Sequence, residues 1–169
     1  MTHVPMSLPR AGYDPSIHPE LFEGTLSKRI IAFICDAIIV GLLMIPAALI
    51  VFLLGIVTLG IAWFLYGGLF AIVALGYVAL TLGGPASATV GMRWAGVELR
   101  AWDGGPSSPI LAVIHSLFFW FSIGLLTPLV LLVGLFTAKR QLLHDLLLGT
   151  MVVNSAALVR LEDRMHGLA

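Results

Sequence analysis

Two long apolar runs dominate the first half of the chain. Residues 30–54 carry one charged side chain, Asp36, and residues 60–82 carry none. A helix rises about 1.5 Å per residue, so each run is long enough to cross a hydrocarbon core of about 30 Å. Only residues 55–59 separate the two runs. The pattern predicts two transmembrane helices that form an antiparallel hairpin, with Pro46 bending the first one locally.

A third apolar region covers residues 110–136 and carries His115 as its one ionisable side chain. As a straight helix it would measure about 40 Å, which is more than the hydrocarbon core requires. Gly124 and Pro128 interrupt it near the middle, and each half is then too short to span. The region is predicted to form either a third span or a re-entrant hairpin that enters and leaves the membrane on one face.

Basic residues favour the re-entrant interpretation. They form three pairs, one before the first run, one after the second run and one after the third region: Lys28 and Arg29, Arg93 and Arg100, Lys139 and Arg140. The positive-inside rule places such pairs in the cytoplasm. Two spans bring the first two pairs to one face, and the third pair joins them only if residues 110–136 return to that face. We therefore expect a multi-pass protein of the cell inner membrane with a cytoplasmic N-terminus.

The segment 83–109 between the apolar regions begins with turn-forming residues. Weak alternation over residues 91–100, in which Val97, Leu99 and Ala101 could face one way, is followed by a turn at 103–104. This pattern predicts a short strand or a β-hairpin-like segment at the membrane surface. Residues 149–154 also have the composition of a strand. They can pair with residues 94–100 only if both segments lie on the same face of the membrane.

Both ends of the chain are polar. Residues 1–25 lack the apolar core of a signal peptide and are predicted to be a polar tail or an irregular segment at the membrane surface. Residues 155–169 are predicted to be a solvated short helix or a frayed end. Between them, residues 26–154 form one predicted membrane domain, which ends in a closing motif at 140–153.

Composition supports an all-α membrane protein. Hydrophobic residues make up 59% of the chain and charged residues 11%, whereas soluble domains carry about 25% charged residues. Lipid is the solvent for the excess apolar surface. The formal net charge is zero, which gives no argument for a nucleic-acid partner. The sequence shows no nucleotide-binding loop, nucleophile elbow or metal-ligand spacing, so neither an enzyme, a cofactor nor a metal site is expected.

Asp36 is the acidic residue predicted to lie deepest in the membrane. It follows Arg29 by seven positions, which places it on the same helix face and about 10 Å farther along the axis. An unpaired charge at such a depth costs about 2.5–3.5 kcal/mol on insertion scales. Two hypotheses follow: Asp36 is a protonatable or cation-binding group, or it makes a structural hydrogen bond to a neighbouring helix or backbone.

A second group of ionisable residues lies near the end of the apolar region. Asp145 is expected to reach Arg29 or Lys28 and to pin the closing motif to the first span. His144 is adjacent to Asp145, so the two side chains should leave a helix on different faces rather than form an acid–base pair. His115 is expected to hydrogen-bond a backbone carbonyl, with a proton-carrying role as the alternative.

Three motifs in the chain resemble those of the RDD family of membrane proteins. They are KRIIAFICD at 28–36, TVGMRWAGV at 89–97 and RQLLHDLLLGTMVV at 140–153. The family is named for one arginine and two aspartates, and the resemblance implies that Arg29, Asp36 and Asp145 are these signature residues. The family usually has Thr-Pro-Gly-Lys where this chain has Thr-Val-Gly-Met at 89–92, so Arg93 is expected to carry the basic charge.

The resemblance implies transport of a small solute or cation, in some members sodium/proton antiport. In this hypothesis Asp36 exchanges protons and cations, Arg29 and Asp145 set its field, and His115, His144 and Arg93 support it. The alternative is a structural or assembly partner of another membrane complex. In either case the small residues Gly67 and Ala71 favour close helix contact, so we expect a homo-oligomer or contact with other membrane proteins besides the lipid bilayer.

Overall fold

A computed structural model of the chain describes residues 13–166, except for the side chains of residues 123–133, 135 and 166. Six α-helices, two strands and two 3-10 helices are present in that range. In chain order they are the 3-10 helix Pro19–Leu21, α1 (Thr25–Val57), the 3-10 helix Ile61–Gly67, α2 (Leu69–Thr81), α3 (Val90–Ala95), β1 (Val97–Ala101), α4 (Pro109–Phe136), α5 (Leu143–Leu148), β2 (Thr150–Asn154) and α6 (Ser155–His166).

Helix α1 confirms the first apolar run as one long helix. It has 33 residues and continues through Pro46, which gives a length of about 50 Å. Its large apolar side chains are open to the surroundings, with Leu42 61% and Ile45 66% exposed. The stretch Pro19–Val57 is long and apolar enough to cross a membrane. The length and the exposed apolar surface of this helix are therefore those expected of a membrane-crossing helix.

The second apolar run is not the straight helix predicted over 60–82. It divides into the 3-10 helix Ile61–Gly67 and α2, which meet at 65°. The bend falls at Gly67 and Gly68, and glycine disfavours a helix interior by about 1 kcal/mol relative to alanine. If the bent pair counts as one crossing, the described chain has two candidate spans; otherwise it has one.

Hydrogen bonds hold the first half of the bent pair against α1. The Tyr66 hydroxyl donates to the Ala48 carbonyl at 2.8 Å, and the Trp63 ring N–H donates to the Phe52 carbonyl at 3.3 Å. In an apolar environment no water competes for these hydrogen bonds, so they help to hold the 3-10 helix Ile61–Gly67 against α1. The chain folds back along α1 and runs antiparallel to it, as the sequence predicts.

The predicted pairing of the two surface segments is confirmed. β1 and β2 are antiparallel, with Val97 opposite Asn154 and Ala101 opposite Thr150. The strand starts later than predicted, because residues 90–95 form the short helix α3. Thr89 caps the start of α3 by accepting a hydrogen bond from the Met92 N–H.

Helix α4 is continuous over 28 residues, so the predicted interruption at Gly124 and Pro128 is wrong. Lipid offers a broken backbone no replacement hydrogen bonds, which favours keeping the helix intact. Its first residue, Pro109, packs on Gly83 just after α2. Near its other end, Gly134 lies against Leu26 in the first turn of α1. The start of α4 therefore lies beside the end of α2, and the end of α4 lies beside the first turn of α1.

The strand pair is covered on both faces. Val97, Leu99 and Val152 pack with Leu82 and Ala112 on one face. On the other face β2 packs with α6 and with the segment that precedes α1, through Tyr13, Leu21, Phe22, Met151, Val153, Ala157, Leu158 and Leu161. Residues 13–24 and α6 thus contribute buried side chains to the folded core. The short helix predicted within 155–169 is present as α6, but one of its faces is buried rather than solvated. Residues 1–12 and 167–169 lie outside the described range.

Candidate functional site

Asp145 is the centre of a buried polar cluster. It lies in the first turn of α5 and is 0% exposed. The Leu142 N–H donates to its Oδ2 at 2.9 Å, which satisfies one of the free backbone donors at the start of the helix. The carboxylate is therefore fixed in position by the helix that carries it.

Arg29 of α1 forms an ion pair with the same oxygen, Oδ2 of Asp145. The arginine side chain is 11% exposed and the aspartate side chain is fully buried. This is the pairing that the sequence suggested for the closing motif. It connects the first membrane helix to α5 across 116 positions of sequence.

Two histidines approach the other oxygen of Asp145. His144 Nε2 lies 3.6 Å from Oδ1, and His115 Nδ1 lies 3.7 Å from it. The two imidazole rings meet edge to face with centroids 4.8 Å apart. The expectation that His144 and Asp145 leave the helix on different faces is wrong for this short helix, because both side chains turn inward and both are buried.

Two hydroxyl groups complete the cluster. Thr150 Oγ1 donates to Asp145 Oδ1 at 3.3 Å and lies 3.3 Å from His115 Nδ1. Ser122 Oγ lies 3.5 Å from His144 Nδ1. Among the described residues, the partners of His115 are therefore Thr150 and Asp145, in place of the expected backbone carbonyl. Neither hydroxyl was predicted, since residues from α4, α5 and β2 share no sequence spacing.

The charges of the cluster follow from burial and from Arg29. Burial has the largest single effect and would raise the pKa of Asp145, but the positive charge of Arg29, the two neighbouring histidines and the Leu142 N–H together outweigh it and hold the pKa below its usual value. Burial lowers the pKa of His144, although the Asp145 carboxylate opposes this. Asp145 is therefore ionised and His144 is a neutral imidazole at neutral pH.

The side chains of the cluster include three that can act as ligands of a cation. His115, His144 and Asp145 can each offer one ligand atom, and these atoms lie within 4.8 Å of one another. Neutral imidazole and carboxylate are both common metal ligands. His115 lies on α4, and His144 and Asp145 lie on α5. The two helices pack together, and Asp145 also contacts Arg29 of α1. The fold thus assembles a ligand set that the sequence did not predict.

Asp36 has a different environment. Its Oδ1 accepts hydrogen bonds from the Tyr77 hydroxyl at 2.6 Å and from the Gly91 N–H at 2.8 Å, and its Oδ2 accepts one from the Thr89 hydroxyl at 2.5 Å. The Val90 N–H in turn donates to the Tyr77 hydroxyl at 3.1 Å. Asp36 therefore ties α1 to α2 and to the start of α3. This geometry corresponds to the structural hydrogen bond that was one of the two hypotheses for Asp36.

Gly91 allows this close approach. A Cβ at this position would lie 2.8 Å from both Cγ and Oδ1 of Asp36, and it would also collide with the Ala32 carbonyl. Only glycine leaves room for α3 to lie directly on α1 at this point. Arg93, which the sequence proposed as a supporting residue, is exposed on α3.

The sequence profile of the RDD family matches residues 24–149, which is well over half of the chain. The chain belongs to the RDD family. Searches of the curated proteins and of the solved structures found no match. In this RDD protein the three residues expected to be the signature form two separate contacts of α1: Arg29 with Asp145, and Asp36 with the loop and helix at 89–91. The family and the long apolar helix identify it as a membrane protein.

Proposed function

We propose that this RDD protein is a non-enzymatic cation-transport module of the cell inner membrane. The cation site comprises Asp145, His115 and His144. The observation that carries the proposal is a fully buried carboxylate with two imidazoles beside its Oδ1, in a protein whose long helices face lipid. Ionisable groups held inside a membrane protein mark substrate or ion pathways as a rule. The family resemblance implies sodium/proton antiport for some members.

The Asp145 cluster supports this function better than Asp36 does. Both oxygens of Asp36 already accept hydrogen bonds from uncharged donors on α2, α3 and the loop between them. A cation at that position would have to displace these donors. At Asp145 the ion pair and the backbone bond occupy Oδ2, whereas Oδ1 accepts a single longer hydrogen bond, from Thr150 Oγ1 at 3.3 Å, and faces His115 and His144.

The proposed topology has two crossings, α1 and the bent pair that ends with α2. The pairing of β1 with β2 supports a topology in which the chain lies on the same side of the membrane before and after α4. The packing of Gly134 against Leu26 supports the same arrangement. In this topology α4 lies at or dips into one face, which is the cytoplasmic one because Lys28, Arg29 and Lys139 lie there.

A single copy of the described chain offers little enclosed space for a pathway, so the proposal includes a homo-oligomer. Gly67 and Ala71 are both exposed, and a Cβ at Gly67 would meet nothing within 4 Å. This open small-residue face also favours the second candidate function, a structural or assembly partner of another membrane complex. Chemical crosslinking in native membranes tests the oligomer, and detection of monomer alone would contradict it.

Reconstituted vesicles test transport. Purified protein is placed in proteoliposomes, and proton movement driven by a gradient of Na⁺ or of a divalent cation is followed with an internal pH dye. The wild type should exceed empty vesicles, and Asp145→Asn should return the flux to their level. Asp163→Asn, which changes an exposed acid on α6, is the matched control and should retain wild-type flux.

A second variant separates loss of the site from loss of the fold. Arg29→Met combined with Asp145→Leu removes both charges and leaves neither unpaired, so the protein should stay folded but inactive. If the folded double variant transports like the wild type, the proposed site is wrong. If the wild type shows no flux and a second membrane protein copurifies in fixed ratio, the assembly function replaces the transport function.

A further inference from the structure

We infer that the cation bound at His115, His144 and Asp145 is a divalent transition metal of the Zn²⁺ class rather than an alkali ion. As the identity of a transported ion, this inference rests on the proposed function. Binding of the metal to this site can be measured in the purified protein, without any measurement of transport.

The distances between the ligand atoms suit a small metal ion. Zn²⁺ binds histidine nitrogen and carboxylate oxygen at about 2.0–2.2 Å in tetrahedral geometry, which places ligand atoms about 3.3–3.5 Å apart. In this structure Asp145 Oδ1 lies 3.6 Å from His144 Nε2 and 3.7 Å from His115 Nδ1. Shifts of a few tenths of an ångström suffice for these two pairs. The two imidazole nitrogens lie within 4.8 Å of each other, so they must approach by up to about 1.4 Å to share the metal.

The ligand types select the metal. Two imidazoles and one carboxylate give three protein ligands and leave one position open for water or another ligand, as in zinc sites that exchange ligands. Imidazole nitrogen favours Zn²⁺, Co²⁺, Ni²⁺ and Cu²⁺, whereas Na⁺ and Mg²⁺ prefer oxygen ligands. An alkali ion would gain little from His115 and His144. The two histidines are therefore the specific argument for a transition metal.

The surrounding residues orient the ligands. Arg29 and the Leu142 N–H both bind Oδ2 of Asp145, which leaves Oδ1 facing the histidines. Oδ1 also accepts a hydrogen bond from Thr150 Oγ1 at 3.3 Å, which a bound metal would replace. Ser122 Oγ lies 3.5 Å from His144 Nδ1, on the side of the ring opposite the proposed ligand atom. Such outer contacts fix the tautomer and the orientation of metal-binding histidines.

Arg29 also limits the affinity. Its positive charge neutralises Asp145 and lies close to the metal position, so it repels a divalent ion in a buried setting. We expect reversible binding that is weaker than in a closed structural zinc site. Weak binding is what a transport site needs, because the ion must also leave.

Cobalt titration of the full-length protein in detergent tests the site. The protein is purified with a tag that contains no histidine, stripped with chelator and titrated with Co²⁺. Tetrahedral Co²⁺ gives strong visible absorption. Addition of Zn²⁺ should displace the bound Co²⁺ and remove this absorption. His144→Gln and His115→Gln should each weaken binding at least tenfold, whereas His18→Gln, which alters the histidine just before the 3-10 helix Pro19–Leu21, should not change it.

Two results would overturn the inference. The first is the absence of Co²⁺ binding to folded wild-type protein. The second is binding that is equal in the wild type and in all three variants, which would indicate adventitious surface ions. Gel filtration and thermal unfolding of each variant establish that it is folded. Either of the two ligand variants is sufficient to test the site, so the experiment can still be interpreted if one of them does not fold.

The failure of this inference and the failure of the proposed function give different results. Sodium-driven flux that depends on Asp145, together with no Co²⁺ binding, leaves the transport function and removes the transition metal. Specific Co²⁺ binding without flux of any cation supports the metal site and contradicts transport. Specific binding together with Zn²⁺-driven flux supports both.

Discussion

Arg29 and Asp145 form a buried ion pair that joins the first membrane helix to α5. Seven residues farther along α1, Asp36 accepts three hydrogen bonds from α2, α3 and the loop between them. The helix is therefore fixed to the rest of the fold at two levels. A buried charge whose partner is removed is much more costly than a pair that is replaced as a whole. The two contacts should accordingly respond differently to single and double substitutions.

Asp145→Asn should destabilise the protein by about 3–5 kcal/mol, since Arg29 would remain charged and buried without its partner. Unfolding in detergent, followed by circular dichroism, measures the loss. The double variant Arg29→Met with Asp145→Leu should be closer to the wild type than Asp145→Asn is. Asp163→Asn should stay within about 0.5 kcal/mol of the wild type. Equal stability of Asp145→Asn and the wild type would show that the ion pair does not hold α1 in place.

Asp36→Asn should loosen the start of α3 without removing cation transport. An asparagine presents an NH₂ group where Asp36 now accepts hydrogen bonds, so at least one of Tyr77, Thr89 and Gly91 loses its acceptor, at a cost of about 1–3 kcal/mol. Amide hydrogen exchange over residues 89–95 should become faster. Flux per folded molecule should remain at the wild-type level. Loss of flux in a folded Asp36→Asn protein would instead favour Asp36 as the ion site, as first suggested by the sequence.

The sequence was sufficient for the features that depend on hydrophobic length and charge. The apolar run at 30–54 predicted α1, and the composition of residues 149–154 indicated a strand that can pair with residues 94–100, which is the β1–β2 pair. The sequence-based prediction was wrong where a local bend interrupts a helix. The 65° bend occurs at Gly67 and Gly68, two residues that read from the sequence as a helix-packing motif.

The candidate site was only partly predictable, for a physical reason. The pairing of Arg29 with Asp145 follows from a general rule, because a buried acid needs a basic partner. The position of His115 beside His144 depends on how α4 packs on α5, and no periodicity in either segment contains that information. Asp36 was expected to lie deep in lipid, but the loop at 89–91 folds over it and supplies its donors.

Gly91→Ala should destabilise the contact between α1 and α3. The added Cβ would lie 2.8 Å from Asp36 Oδ1 and would also collide with the Ala32 carbonyl, so the helices must separate. Overpacking of this kind costs about 1–3 kcal/mol. Gly41→Ala is the matched control, since a Cβ at Gly41 of α1 meets nothing within 4 Å and alanine favours a helix. Thermal unfolding should show a lower midpoint for Gly91→Ala and an equal or higher one for Gly41→Ala.

Asn154→Ala should release the segment that precedes α1. The Asn154 amide donates to the carbonyls of Glu20 and Glu23, both at 2.9 Å, and its oxygen accepts from Lys28 Nζ at 2.5 Å. Removing the side chain leaves all three partners without this contact. Limited proteolysis should then cut residues 13–24 several times faster than in the wild type. The exposed α6 variant Arg160→Ala should leave the rate unchanged, and equal rates for both variants would contradict the role of Asn154.

Sided labelling should place Asp103 and Lys139 on the same face of the membrane and Leu59 on the other. Asp103 follows β1, Lys139 lies between α4 and β2, and the strands pair. Leu59 follows the far end of α1 and is 95% exposed. In a Cys35→Ala background, the single substitutions Asp103→Cys, Lys139→Cys and Leu59→Cys are treated with an impermeant thiol reagent on inside-out and right-side-out vesicles. Labelling of the Lys139 and Leu59 positions from one side would mean that α4 crosses the bilayer, and the β1–β2 pair could then not form in the membrane.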